Sequence, residues 1–350
     1  MTSRSVSRIL EFGKLALTAS FACALLAPSA ASAQKPYSVQ TRWTVGGDGG
    51  WDYLTADAGA HRLYVTHGTR VEVLDTNSGK VVGNIQGLQG IHGVALDNAG
   101  KYGYISDGRA GAVVVFDRAS LKTLASIPVG TNPDGIVFEP VTKTVWAFNG
   151  RSSDVSVIDT ATRKVVATIA LPGKPEFPVA DGKGTIFDNI ETKNSIVRLD
   201  AKTKTLTATW PLTNCESPSG LAMDQAGRRL FTVCDGKTMN VVDANSGKVL
   251  ATPAIGDGPD AAAYDPAHKL AFASNGDGTL TVVDASKNTF PVLQNVATQK
   301  GARTMSLDTA TGRIYLVTAE FGPKPAATAT NPRPRPAILP GSFTVLVVGR

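Results

Sequence analysis

Cysteine, histidine, methionine and tryptophan are all scarce, with three, four, four and four copies in 350 residues. The cysteine spacing matches no zinc motif. There is no Gly-rich phosphate loop on a strand–helix unit, no haem-attachment cysteine pair with histidine and no serine elbow. No catalytic residue is therefore nominated, and a non-enzyme is the expectation. Beyond the N-terminal segment no stretch holds a helical period, and none is apolar for long enough to make a membrane helix. Charged residues amount to 18% and are scattered rather than run together. The net charge of +6 allows a polyanionic partner without demanding one.

The N-terminus reads as a targeting device. Arg4, Arg8 and Lys14 precede an apolar stretch from Leu15 to Ala27, and Ala31-Ser32-Ala33 supplies the small-x-small pattern of a signal-peptidase site. Cleavage after Ala33 is expected, with residues 1–33 removed and the mature chain, 34–350, periplasmic or secreted in a bacterium. Cleavage would also remove Glu11, so the mature chain loses two net positive charges. Cys215 and Cys234 remain, an even pair that favours a disulfide in an exported chain.

What the chain has in quantity is one phrase, an apolar run ending in aspartate. It occurs at Asp75, Asp117, Asp159, Asp200, Asp243 and Asp284, separated by 42, 42, 41, 43 and 41 residues. Each interval carries alternating apolar residues and Gly/Asn/Asp turns, as in Arg62-Leu63-Tyr64-Val65-Thr66 followed by His67 to Thr69. The period predicts an all-β, seven-bladed β-propeller of four-stranded antiparallel blades. Phe343 to Val348 ends the chain one strand short of a blade. The spare stretch Tyr37 to Val45 is expected to pair outside it and close the ring. An insertion at 322–341, with prolines 323, 325, 332, 334, 336 and 340, reads as an extended loop in the last blade, either a solvated excursion or an arm bearing Lys324, Arg333 and Arg335.

Arg62-Leu63-Tyr64-Val65-Thr66, Val157-Ile158-Asp159-Thr160-Ala161-Thr162 and Gly130-Thr131-Asn132-Pro133-Asp134-Gly135 resemble the YVTN-repeat (YncE-like) propellers. The resemblance spans the mature chain and implies an exported seven-bladed propeller. It transfers no catalytic motif, because that family shares none. Single-stranded DNA binding, proposed for one branch, needs a positive groove with interleaved aromatics, and no such pattern is present.

Aligning the blades on Asp57, Asp97, Glu139, Asp181, Asp224, Asp265 and Asp308 selects one residue before each inner strand. These are Asp52, His92, Asp134, Glu176, Ser219, Asp260 and Arg303, all expected at one mouth of the central channel. A second set at the ends of the second strands, His67, Asp107, Asn149, Asn189, Cys234, Asn275 and Thr318, is expected on the same face. Turn chemistry alone accounts for many Asp and Asn residues there. Four carboxylates, an imidazole and a guanidinium on one disc would also suit a small ligand or a divalent cation of the calcium kind. His92 with His67 would suit a transition metal, and Arg303 an internal counter-ion. A disulfide between Cys215 and Cys234 would pin the loop at this mouth. The four tryptophans are not expected to share a blade position. The function expected is a non-enzymatic binding or scaffold propeller for a small molecule or a periplasmic protein, acting as a monomer. The alternative is a metal-dependent hydrolase of the lactonase kind, an analogy of architecture alone.

Overall fold

The computed structural model describes residues 7–11, 13, 35–328, 334 and 336–350. The chain divides into two units, Met1–Lys35 and Pro36–Arg350. In the first, the described residues carry no regular secondary structure. The expected apolar signal core and the cleavage site after Ala33 lie outside the described residues, as do Arg333 and Arg335 of the proline-rich insertion. Among the described residues no helix is long and apolar enough to cross a membrane.

The second unit folds into seven four-stranded antiparallel sheets, each one blade. Six are simple meanders of consecutive strands. Blade 1, for example, runs Trp51–Asp57, Arg62–His67, Arg70–Asp75 and Val81–Ile85. The seventh takes its outermost strand from the other end of the chain. Ser38–Thr44 pairs with Thr344–Gly349 in a register that sets Trp43 against Val345. Closure by this strand was expected, and it completes the last blade at four strands.

A lone four-stranded sheet cannot bury both faces, so the cores lie between blades. Tyr64, Val71 and Val73 of blade 1 pack with Ile105, Val114 and Phe116 of blade 2. Across the seam Leu63 and Val65 meet Tyr315, Val317 and Phe343. Each such buried side chain contributes roughly 1.5–3 kcal/mol. Two tryptophans do share a blade position, contrary to expectation. Trp43 and Trp210 sit in fourth strands opposite Val345 and Ile196, the second residues of their third strands. They stack on Tyr315 and Phe187 and leave room only for a glycine, Gly79 and Gly247, in a neighbouring turn.

The repeated aspartate proves to be a turn device. Between the third and fourth strands, Asp75, Asp117, Asp159, Asp200 and Asp243 accept the backbone N–H and the hydroxyl of the residue three further on: Ser78, Ser120, Thr162, Thr203 and Ser246. These bonds favour the ionised carboxyl and hold its pKa below the ordinary value. The alignment residues Asp57, Asp97, Glu139, Asp181, Asp224, Asp265 and Asp308 brace the turns between first and second strands on the same side. That side is the turn face of the ring. The other side is the mouth face, where each first strand begins.

Candidate functional site: an acidic cup on the axis

The seven mouth residues all stand at the start of a first strand, one residue after Trp51, Ile91, Pro133, Pro175, Pro218, Pro259 or Ala302. In five blades the pairing of first and second strands slips at this point, for instance between Trp51 and Leu54 and between Pro133 and Ile136. Such a bulge turns a side chain out of the pleat. Here it frees Asp52, His92, Asp134, Glu176 and Asp260 from the blade faces.

These side chains meet as ion pairs. His92 Nδ1 lies 2.6 Å from Asp52 Oδ2 and 3.6 Å from Asp134 Oδ1. Arg303 Nε lies 3.3 Å from Asp260 Oδ2, in the counter-ion role expected of it. Ser219 donates to Pro259 O at 3.1 Å and braces blade 5 to blade 6. Glu176 pairs with a residue the sequence did not single out, Lys174, which also reaches Glu191 at 2.5 Å.

The electrostatics follow from this crowding. Burial alone would lower the His92 pKa, but the hydrogen bond to Asp52 and the charges of Asp134, Asp52 and Glu176 outweigh it and hold the imidazole at about 9. Burial pushes Asp260 up to about 7, against the pull of Arg303 and with further pushes from Asp52 and Asp134. Asp134 and Glu176 are both raised, first by burial. Asp52 then adds to the Asp134 shift and Asp134 to that of Glu176. Lys174 is raised because its two glutamates outweigh its desolvation.

One residue deeper, the first strands converge. A Cβ on Gly135 would collide with Glu176 O, and one on Gly220 would sit 2.5 Å from Ala261 Cα. Two blades carry aromatics at this position, Tyr53 in blade 1 and Phe177 in blade 4. Their rings meet edge to face across the axis, 4.9 Å apart. The two rings thus cross the axis beneath the mouth, and the polar residues above them are together called the cup. Burial and the charges of Asp52, Asp260, Asp134 and Glu176 push the Tyr53 hydroxyl well above its ordinary pKa.

The second expected set does not line this cup. Asp107 accepts Gln89 N–H, Asn149 donates to Asp154 and Ser156, Asn275 to Thr279 and Thr281, and Thr318 to Lys300 O. All are buried and brace the mouth-face loops. His67 is also buried. It stacks on Phe343 at 4.0 Å, with Nδ1 at 3.0 Å from Arg70, and burial and Arg70 push its pKa down to about 4. It does not join His92; the potential metal donors that cluster among the described residues are Asp52, His92 and Asp134.

In blade 4 the set was placed one residue early. The second strand ends at Ile190, which pairs with Pro175. Asn189 instead staples blades 4 and 5, donating to Ser219 O at 2.7 Å and Gly220 O at 3.2 Å. The slip also hid Asp188. At its position the other blades place Val65, Ile105, Ala147, Thr232, Ala273 and Leu316. Asp188 is fully buried, with no hydrogen-bond partner on either oxygen. Burial, with the charges of Glu176 and Asp134, raises its pKa well above the usual range. Cys215 and Cys234 form the expected disulfide, which fastens the loop entering blade 5 to its second strand.

No protein-family model matches the chain, and no curated protein does. Solved structures do. The structure titled Kuenenia stuttgartiensis hydrazine synthase aligns over 76% of this chain and 92% of its own, at 17% identity and a TM-score of 0.69. The structure of U3-55K aligns over 89% of this chain and 98% of its own, at 9% identity and a TM-score of 0.73. At such identities the likeness shows the fold alone, and that fold is the seven-bladed ring described above.

Proposed function

We propose that this protein is an exported, non-enzymatic binding propeller of the YVTN-repeat kind, and that it holds a small cationic ligand in the axial cup. One observation carries the reading: five carboxylates, Asp52, Asp134, Glu176, Glu191 and Asp260, gather at one opening around His92, Lys174 and Arg303, and a bound cation would draw off the protons that crowding and burial hold on Asp134, Glu176 and Asp260. Export rests on the basic and apolar N-terminal segment and on the Cys215–Cys234 disulfide. The floor of Tyr53 and Phe177 favours a ligand taken and released from one side. A second reading, a metal-dependent hydrolase, is favoured only by the Asp52–His92–Asp134 cluster, which could activate a metal-bound water.

The test is a ligand screen by equilibrium binding on the mature chain and on an Asp134→Asn/Glu176→Gln double variant. A cationic ligand bound by the first and lost by the second supports the cup. A ligand held equally by both places binding elsewhere. Metal-dependent turnover of lactones by the wild type, absent from the double variant, would replace this reading with the hydrolase.

A further inference from the structure

Taking the axial cup as the binding site, we propose that its ligand is a divalent transition-metal ion held by the carboxylates of Asp52 and Asp134 and by Nδ1 of His92, whose proton, shared with Asp52 in the metal-free protein, is released to solvent as the ion takes its place. The donor atoms of these three residues all lie within 4.8 Å of one another, close enough for one ion to reach all three with small side-chain movements. They come from three consecutive blades, each on a first strand anchored in its sheet. One imidazole and two carboxylates form a donor set that suits zinc, manganese or iron. Calcium, the cation the sequence alone suggested, prefers six to eight oxygens, and here a nitrogen stands at the centre of the group.

The division of partners in the cup points to the same three residues. Glu176 is held by Lys174, and Asp260 by Arg303. Asp52 and Asp134 have only His92 between them. The independent sign of a missing partner is Asp188. Thr232, at the equivalent place in blade 5, reaches back to Asn189 of blade 4 at 3.0 Å, so this position faces the preceding blade. Asp188 therefore points from blade 4 toward blade 3, under Asp134 and Glu176, the two charges it feels. It is wholly buried and neither oxygen has a partner. An ion at Asp134 would add a positive charge on the side from which this unpartnered carboxyl now feels only negative ones. Asp188 is then a positioning residue behind a metal ligand, a place where such groups affect affinity.

The experiment uses the mature chain stripped with chelator. Zn²⁺, Mn²⁺ and Ca²⁺ are titrated calorimetrically into wild type, Asp134→Asn, His92→Ala and Asp188→Val, and the washed proteins are analysed for metal. Thermal unfolding of the metal-free proteins checks their folding, with His92→Gln replacing His92→Ala if the latter does not fold. One equivalent of Zn²⁺ or Mn²⁺ is expected, with Ca²⁺ at least tenfold weaker. A loss of about tenfold or more is expected in the Asp134 and His92 variants, and a smaller loss in Asp188→Val. Absence of stoichiometric metal from folded wild type, unchanged binding in the variants, or preference for Ca²⁺ would overturn the proposal. 1,4-Diaminobutane is titrated in parallel as an organic cation. If it binds, is lost in Asp134→Asn and no metal binds, the metal is wrong while the cup remains the ligand site. If neither binds, both readings fall.

Discussion

The two faces of the ring obey opposite rules. On the turn face one aspartate turn repeats in five blades and is satisfied locally. Asp159 takes the N–H and hydroxyl of Thr162, as Asp75 does with Ser78 and Asp243 with Ser246. On the mouth face seven equivalent positions hold five residue types, and the carboxyls of Asp134, Glu176 and Asp260 sit above their ordinary pKa. Groups placed for stability become easier to ionise in the fold, whereas these become harder. A region that accepts such a cost in the unliganded protein is where binding belongs.

The contrast can be broken first at the disulfide, the one covalent brace on the mouth face. Replacing Cys215 and Cys234 together by serine should cost about 2–4 kcal/mol, seen as a lower midpoint in denaturant. No loss would mean that the loop entering blade 5 needs no staple.

Asp188→Val should move stability the other way. Valine fills the same position in blade 1, and it removes a buried carboxyl with no donor, worth about 1–3 kcal/mol. A metal-free variant less stable than wild type would show that the carboxyl is satisfied after all.

Asp260 gives the pH test. Its pKa is raised to about 7 in the folded chain, against roughly 3.9 when unfolded. The folded state therefore binds the extra proton, so this group's contribution is full below the unfolded value and lost as pH rises through the folded value. Asp260→Asn should flatten the fall in stability between about pH 4 and 7, by on the order of 1–2 kcal/mol once the lost Arg303 pair is allowed for. Unfolding midpoints taken across that range would decide it, and a steeper fall in the variant would reverse the assignment.

The smallest effect belongs to the turn face. Asp159→Ala should cost about 1 kcal/mol, independent of any ligand. A change in binding by this variant would blur the division between the faces.

Much of this was legible because the blades repeat a local device. The Asp-x-x-Ser/Thr turn is satisfied within four residues, so it leaves its mark on the sequence and reveals the blade period. The cup positions were legible too, since counting back from Asp57 and its equivalents works where the strands keep the same length and the same slip in pairing. Blade 4 defeated the count. Its turn from Asp181 to Thr185 is one residue shorter than that from Asp57 to Arg62, and a slip of one residue exchanges the two faces of a strand. The ten-residue count of the other blades, run from Asp181, overshoots to Glu191, while taking Asn189 as the strand end stops one residue short of Ile190; that placement put an inter-blade staple in the ring and passed over Asp188. The sequence held one clue, an ionisable residue where other blades are apolar or carry threonine. Lys174, Tyr53 and Phe177 left none, for their partners lie in other turns or across the axis.

By itself, then, the order of amino acids decided the blade number, the closing strand, the disulfide and which seven residues stand where the first strands begin. Each of these follows from short-range periodicity, or from a pairing that only one candidate could fill. The tertiary structure alone decided that His92 stands between Asp52 and Asp134, that Lys174 divides itself between two glutamates, and that Tyr53 meets Phe177 to floor the cup. The first and last of these contacts join residues from different blades and the second joins separate segments of blade 4, and their distances are set by how the sheets twist and pack around a common axis, a quantity that no local pattern encodes.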